Sequence, residues 1–226
     1  MATASQPRSS TAERKTFAIV RPPSLAKATK NTTTPTGRTI DPSDKRVNNI
    51  RINLLTNRIH RKVTFAEPTL VFDKFLYLGG LKSLYEKNRA TRLNITHVLS
   101  VVWIRPKKDT IPPNAKHFFI KAEDTILFDM TPYFEQACRF IEEARQSNGR
   151  VLVHCACGVS RSTTICCAYL MKHHSMSLEQ ALTQIRSQRP IVRPNTGFLR
   201  QLIRFNEKIE CDRANVDKLT EKLENI

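Results

Sequence analysis

The sequence predicts an α/β fold in which a central, mostly parallel sheet is flanked by helices. Between about residues 71 and 210, short runs of β-branched and aromatic residues alternate with longer segments whose apolar residues recur at helical spacing. Two of the short runs, VLSVV and VLV, are apolar at almost every position, as is typical of strands buried on both faces of a parallel sheet. The first 65 residues show neither pattern, so a disordered basic tail is expected to precede the α/β region.

Four strands are predicted from these runs, because each run is bounded by polar or turn-forming residues. They are VFDKFLYLG at 71–79, THVLSVVW at 96–103, KHFFIKA at 116–122 and VLVH at 151–154. A glycine pair closes the first run, and this pair favours a turn at its end.

Five helices are predicted between and after the strands. They span residues 82–94, 131–146, 161–174, 177–188 and 196–210. Thr131 is predicted to cap the second helix, with Pro132 in its first turn, and Ser177 is predicted to cap the fourth. The third helix, RSTTICCAYLMKHH, is apolar nearly all round, so we expect it to lie at the centre of the fold.

Composition divides the chain into a tail, a domain and a short C-terminal segment. Residues 1–65 are poor in large apolar groups and cannot bury enough surface to offset chain entropy, so they are predicted to be disordered. Residues 66–212 are long enough for one well-packed domain, and residues 213–226 are either a short amphipathic helix or a frayed end. The net charge of +17 is concentrated in residues 1–66, which hold 13 Lys and Arg against 3 Asp and Glu. This basic balance favours acidic partners such as phosphoproteins, nucleic acid or anionic membrane.

Cysteine spacing and the length of the apolar runs limit the cellular compartments in which the protein is expected. The six cysteines show no spacing typical of a disulfide framework or a zinc site, so no metal or other cofactor is expected. The N-terminus lacks the apolar core of a secretory signal, and no apolar run is long enough to span a bilayer. We therefore expect reduced thiols in the cytoplasm and/or nucleus. A mitochondrial location is the alternative, because Glu13 is the only acid in residues 1–40 and such a composition also suits a transit peptide.

The segment VLVHCACGVSRSTT, at 151–164, carries the strongest functional signal. Its strand ends at His154, and ligands of such sheets bind beyond the carboxyl ends of the strands. The next helix begins near Arg161, so the loop N–H groups and the positive helix end face the same space. Gly158 lets the backbone approach a ligand closely, and the Arg161 guanidinium matches phosphate oxygens. The predicted phosphate-binding residues are Ala156, Cys157, Gly158, Val159, Ser160 and Arg161.

Cys155 is the predicted nucleophile of this loop. A helix N-terminus with adjacent cations lowers a thiol pKa from ~8.5 to roughly 3.5–7.5, so Cys155 would be a thiolate at neutral pH. Its attack on phosphorus would give a phosphocysteine intermediate, while the loop amides and Arg161 hold the developing charge. Ser162 is predicted to donate a hydrogen bond to the departing sulfur, and His154 to orient the loop. The alternative is a structural cysteine in a tight turn.

The leaving oxygen needs a proton, so a general acid must come from another part of the chain. The upstream candidates are Glu123, Asp124 and Asp129. Asp124 is preferred, because it follows the strand 116–122 at the sheet edge that also holds Cys155. Asp129 lies nearer the predicted helix start, where its charge would favour the helix dipole.

With these residues in place, HCACGVSRS resembles the signature His-Cys-x-x-Gly-x-Ser-Arg-Ser of the cysteine-dependent dual-specificity protein phosphatases. The likeness runs from about residue 71 to 210 and includes LYLGG, YFEQACRFIEEA and RPIVRPNTGF. It implies a protein-tyrosine-phosphatase-like fold of the small type without a rhodanese domain. It also implies metal-free hydrolysis of phosphotyrosine and phosphoserine/threonine in proteins. Cys157 inside the loop is less usual, and an oxidation partner for Cys155 is one role for it.

The resemblance also assigns roles to single residues. It implies that Cys155 is the nucleophile, Arg161 the phosphate-binding arginine and Asp124 the general acid. Ser162 falls on the hydroxyl that helps release the phosphocysteine, and Asn195 falls on a position that buttresses the active-site loop.

Three other functions fit parts of the sequence. Phosphoinositide phosphatases tend to carry lysines in this loop, whereas its variable positions are uncharged here. An RNA 5′-phosphatase would suit the basic charge, but that branch tends to have Asn-Arg-Thr where this chain has Ser-Arg-Ser, so nucleic acid is not the expected partner. A phosphoprotein-binding scaffold without turnover would lack Cys155, Arg161 or Asp124, and all three are present.

The tail contains two short docking patterns. Residues 61–65, RKVTF, fit the basic–Val–x–Phe peptide that the catalytic subunit of serine/threonine protein phosphatase one reads through positions such as Lys62, Val63 and Phe65. Residues 45–54, with a Lys-Arg pair followed by Ile-x-Leu, loosely resemble a MAP kinase docking motif. The alternative is that Val63 and Phe65 pack on the domain as its first strand.

Overall fold

The structure, a computed structural model, describes residues 45–56, 67–86 and 89–224. Within those ranges five strands form one sheet: β1 (Thr69–Phe72), β2 (Leu76–Gly79), β3 (His97–Val102), β4 (Lys116–Lys121) and β5 (Val151–His154). The α-helices of the same ranges are α1 (Lys45–Thr56), α2 (Lys82–Tyr85), α3 (Arg89–Arg92), α4 (Thr131–Gln146), α5 (Arg161–His173), α6 (Leu178–Gln188) and α7 (Thr196–Glu224), and one 3₁₀ helix spans Lys108–Thr110. No helix among these is both long and apolar enough to cross a bilayer.

The predicted α/β fold with a mostly parallel sheet is confirmed. The strand order is β1-β2-β5-β3-β4, and only the β1–β2 pair is antiparallel. In the parallel part, Ser100 of β3 lies beside His154 of β5, and Val102 of β3 lies beside Lys121 of β4. The carboxyl ends of these three strands therefore meet at one edge, as expected for the site.

Two apolar layers cover the two faces of the sheet. One set of alternate residues in β3 and β5, which includes Leu99 and Val153, packs in the main core with helices α4 to α7. The other set, which includes Val98 and Leu152, packs in a smaller cluster with residues of α2 and α3. Helix α5 is buried along nearly its whole length and contacts α4, α6 and α7. Its predicted central place is confirmed.

The first predicted strand is wrong in its extent. The run at 71–79 is not one strand but the end of β1, a turn at 73–75 and the whole of β2, which together form a hairpin. Asp73 has φ 46°, in the left-handed region that Asp tolerates better than most residues, and this conformation reverses the chain. The polar pair Asp-Lys in the middle of the run was the sequence signal for this turn.

The single helix predicted at 82–94 is also wrong, since the structure has two one-turn helices there. Helix α2 ends because Glu86 adopts an extended backbone. The predicted cap at Ser177 is confirmed, because its hydroxyl accepts a hydrogen bond from the Gln180 N–H (3.2 Å). Thr131 is not the cap of α4 but its first helical residue.

The prediction of disorder for residues 1–65 is wrong for helix α1; residues 1–44 and 57–65 lie outside the described residues. Val47 and Ile50 are buried in the main core, and α1 contacts α7. Arg46 adds an ion pair to Glu207 of α7 (3.1 Å). A segment of low apolar content is thus stabilised by two well-placed side chains and a helix supplied from the far end of the chain.

The predicted division at residue 212 is not a structural boundary. Helix α7 runs without a break from Thr196 to Glu224. The helix predicted at 196–210 and the separate C-terminal segment predicted from residue 213 are therefore parts of one helix. Among the α7 residues whose burial the structure describes, Ile209 is the last buried one, and residues 210–217 are exposed or partly exposed. The predicted C-terminal segment is therefore helical as far as Glu224, which agrees with the helical one of the two expectations.

Candidate active site

The loop between β5 and α5 has a conformation that glycine makes possible. Gly158 has φ +67°, a conformation that side-chain-bearing residues rarely adopt. A Cβ atom at this position would also lie 2.6 Å from the backbone of Gly79 and 2.9 Å from Nη2 of Arg189. Residue 158 is therefore restricted both by its dihedral angle and by the close approach of the β2 end.

Cys155 lies at the bottom of this loop with its sulfur held by two donors. The side chain is 1% exposed, and Sγ accepts hydrogen bonds from the Gly158 N–H (3.2 Å) and the Ser162 hydroxyl (3.2 Å). Burial by itself raises the pKa of the thiol, but the Ser162 hydrogen bonds, the Arg161 charge and the Val159 N–H together lower the pKa below its ordinary value. The environment therefore favours a thiolate, as the sequence predicted.

Arg161 begins α5 and points across the loop. Its Nη1 donates to the Ala122 carbonyl (3.1 Å), and its Nε lies 3.6 Å from Oδ2 of Asp124. Nε is buried and has no acceptor within hydrogen-bond distance among the described residues. A buried, charged N–H that has an ion-pair partner but no hydrogen bond costs free energy that a bound anion would recover.

Asp124 is connected to the loop by two hydrogen bonds. Its Oδ1 accepts from the Ser160 hydroxyl (2.6 Å) and from the Asn195 amide (2.9 Å), while the carboxylate stays about one-third exposed. Asn195 also receives the Phe198 N–H at its side-chain oxygen (3.0 Å), which caps the start of α7. The Asn195 backbone N–H also donates to the Ser160 hydroxyl (3.2 Å), so Asn195 links the segment that carries Asp124, the loop at 155–161 and α7. Its role as a support of the loop stays a prediction.

The rival acids lie elsewhere. Asp129 accepts the Thr131 N–H (3.0 Å) and so holds the start of α4, as its position predicted. Glu123 is exposed, and its side chain makes no hydrogen bond or ion pair with the described residues. Of the three candidates, Asp124 is the one hydrogen-bonded to the loop. The catalytic roles of Cys155, Asp124 and the loop residues stay predictions.

Sequence reasoning missed Arg189, which holds the loop from behind. This arginine is fully buried, and it donates to the carbonyls of Gly158 (3.0 Å) and Cys157 (3.2 Å). It also donates to the Glu67 carbonyl (3.1 Å) and the Thr69 hydroxyl (3.0 Å). Each of these acceptors is distant in sequence, so an arginine at the end of α6 gave no local signal.

The remaining loop residues divide by exposure. Cys157 and Ala156 are exposed, whereas Ser160 is buried. The six cysteines are free thiols, and the proposed redox role of Cys157 stays a prediction. Among the described residues no group of three or more His, Cys, Asp and Glu is placed to hold a metal ion.

Comparison with known proteins agrees with this site. The family model described as "Dual specificity phosphatase, catalytic domain" matches residues 76–208. Dual specificity protein phosphatase 1 of Arabidopsis thaliana is 41% identical over 136 residues, which cover 60% of this chain and 67% of that protein. MAP kinase phosphatase with leucine-rich repeats protein 3 of Dictyostelium discoideum is 39% identical over 60% of this chain, but only 16% of its own length is covered. The crystal structure of human DUSP28 superimposes with a TM-score of 0.59 at 29% identity, over 63% of this chain and 95% of that one.

Proposed function

The chain belongs to the dual specificity phosphatase family, whose cysteine-based catalytic domain it carries at residues 76–208, and from this we propose that it hydrolyses phosphotyrosine and phosphoserine/threonine in proteins through a phosphocysteine. One observation carries the proposal. The buried Cys155 sulfur receives two hydrogen bonds at the base of a loop, and the Arg161 guanidinium lies beside it with an unsatisfied N–H.

In the first step, the Cys155 thiolate attacks phosphorus and the bond from phosphorus to the ester oxygen breaks. Loop N–H groups and the Arg161 guanidinium stabilise the charge that develops on the three phosphoryl oxygens. Asp124 gives its proton to the leaving oxygen, so the alcohol or phenol departs neutral. Before this, the phosphate must replace the Asp124 carboxylate as the partner of Arg161 Nε, 3.6 Å away in the unliganded site.

In the second step, water attacks the phosphocysteine and the sulfur–phosphorus bond breaks. The Asp124 carboxylate now accepts a proton from the water, and inorganic phosphate is released. The Ser162 hydroxyl, 3.2 Å from the sulfur, stabilises the departing thiolate. The same residue thus favours the thiolate before attack and after release.

The substrate class is tested by a panel of phosphate esters at equal concentration. We expect phosphate release from phosphotyrosine and phosphothreonine peptides, unchanged by a chelator, because the mechanism uses no metal. A phosphoinositide and an RNA 5′-phosphate serve as the comparison substrates, and turnover of them alone would contradict the proposal. A requirement for added divalent metal would contradict it as well.

Partner docking through the tail is a second proposal. The relative from Dictyostelium is named a MAP kinase phosphatase, which supports a MAP kinase as one candidate partner. The RKVTF pattern at 61–65 lies outside the described residues. The Lys-Arg pair of the MAP kinase pattern lies in α1, where Arg46 binds Glu207.

A pull-down that compares the wild type with Val63→Ala/Phe65→Ala tests docking through the RKVTF pattern. We expect the double variant to capture much less of the catalytic subunit of serine/threonine protein phosphatase one than the wild type. Equal capture by both proteins would contradict docking through this pattern.

A further inference from the structure

Three polar side chains form a hydrogen-bonded line across three strands beneath the active-site loop. Ser100 of β3 lies between His154 of β5 (Oγ to Nε2, 2.7 Å) and His117 of β4 (Oγ to Nε2, 2.9 Å). Ser100 and His154 are fully buried, and His117 is half-buried at the outermost strand. The other ring nitrogen of His154, Nδ1, lies 3.4 Å from the Cys155 carbonyl oxygen. The line therefore ends on the backbone of the predicted nucleophile.

The partners fix where each proton sits. The Cys155 carbonyl can only accept, so His154 Nδ1 must carry the proton of that bond. Burial lowers the pKa of His154 to about 4, so the ring is neutral at pH 7 and its Nε2 is an acceptor. The hydroxyl of Ser100 must then donate to His154 Nε2. Since that hydroxyl has one proton, His117 Nε2 must donate its own N–H to the Ser100 oxygen.

We infer that Ser100 is a positioning residue that fixes the tautomer of His154 and thereby stabilises the Cys155 thiolate. His117 acts on His154 indirectly. Its N–H donates to the Ser100 oxygen and so leaves the Ser100 proton to be donated to His154. The catalytic part of this inference rests on the proposed function, whereas its effect on the thiol does not. In the fixed tautomer, His154 donates to the Cys155 carbonyl, and all dipoles of the line point their positive ends toward the cysteine.

Removal of the Ser100 hydroxyl has a defined consequence. His154 Nε2 would be left as a buried acceptor without a partner, which favours transfer of the ring proton from Nδ1 to Nε2. Nδ1 would then present a lone pair to the Cys155 carbonyl oxygen, and the two acceptors would repel each other. The charged and titratable groups that face the thiol are Arg161 and Cys166 of α5 and Arg189 after α6, with Asp124 beyond Arg161, and none of them is changed.

The test compares variants that keep or lose the hydrogen bond. Ser100→Ala loses the hydroxyl and Ser100→Thr keeps it; His117→Leu loses the ring N–H and His117→Gln keeps an N–H donor. The first readout is the rate at which iodoacetamide alkylates Cys155 as a function of pH, quantified by the mass of the Cys155 peptide. We expect the thiol pKa to rise in Ser100→Ala, with alkylation at pH 6 about tenfold slower, and to stay near the wild-type value in Ser100→Thr. His117→Leu should show a smaller rise, and His117→Gln almost none.

The second readout separates positioning from general damage. A higher thiol pKa lowers kcat/KM on the acidic limb of the pH profile and leaves it nearly unchanged above the thiol pKa, whereas a distorted site loses kcat/KM at every pH. An alkylation profile of Ser100→Ala that matches the wild type would overturn the inference, and so would equal profiles for His117→Leu and His117→Gln. If the wild type hydrolyses no phosphate ester, the proposed function fails, but the alkylation result still decides this inference.

Discussion

Cys155→Ser is expected to abolish phosphate release. A serine hydroxyl is far less acidic than a thiol, so the loop that lowers the Cys155 pKa leaves serine protonated and without nucleophilic strength. The measurement is the initial rate on a chromogenic aryl phosphate at pH 6 to 7, where the wild type gives the reference. The loop amides and Arg161 remain in the variant, so phosphotyrosine peptide binding by calorimetry should persist.

The matched control for this variant is Cys211→Ser. Cys211 is an exposed free thiol on α7, far along the chain from the loop, and its replacement should leave the rate unchanged. Wild-type turnover by Cys155→Ser would show that the attack on phosphorus does not require this sulfur. The phosphocysteine mechanism would then be wrong, even if the chain remained a phosphatase.

Asp124→Asn is expected to lower kcat by about 10²–10⁴-fold, the usual contribution of a general acid. Asparagine keeps an oxygen that can accept from Ser160 and Asn195, whose bonds to Asp124 measure 2.6 and 2.9 Å. The variant therefore removes the transferable proton and the charge next to Arg161, but preserves the connection between the loops. Initial rates on a series of aryl phosphates with phenols of different acidity give the measurement.

The dependence of the rate loss on the leaving group distinguishes loss of the transferable proton from loss of the charge next to Arg161. A more acidic phenol needs less help from a proton donor, so the loss should shrink along the series. A loss that is constant along the series would mean that Asp124 acts by holding Arg161 rather than by donating a proton. Asp129→Asn is the control, since Asp129 binds the Thr131 N–H at the start of α4 and should affect stability but not kcat.

The parts of the site that could be predicted from the sequence are those whose chemistry is local. Cys155, Gly158 and Arg161 lie within seven consecutive residues at a strand-to-helix junction, and such a junction has one geometry in a parallel sheet. Asp124 was found by a topological rule, because parallel strands end at one edge. The positions of these predicted site residues therefore follow from the pattern of strands and helices, while their catalytic roles stay predictions.

The supporting residues could not be predicted, because their partners are set by strand order. The strand order β5-β3-β4 places Ser100 between two histidines, and no pattern in the sequence states that order. Arg189 likewise has the appearance of an ordinary charged residue at a helix end, although its acceptors are three backbone carbonyls and one hydroxyl that lie at least 31 residues away in the sequence. Helix α1 was missed for a related reason, since its apolar content is low and its partner lies at the other end of the chain.

The packing of α1 on α7 has a consequence for the order of events during synthesis. Arg46 and Glu207 are 161 residues apart in the sequence, yet they form one ion pair. At about 5–20 residues per second, the ribosome adds α7 roughly 8–30 s after α1. Throughout that interval Val47 and Ile50 have no α7 to pack against. Docking of α1 is therefore among the last steps of folding, and nascent chains arrested before α7 should expose these two side chains to chaperones.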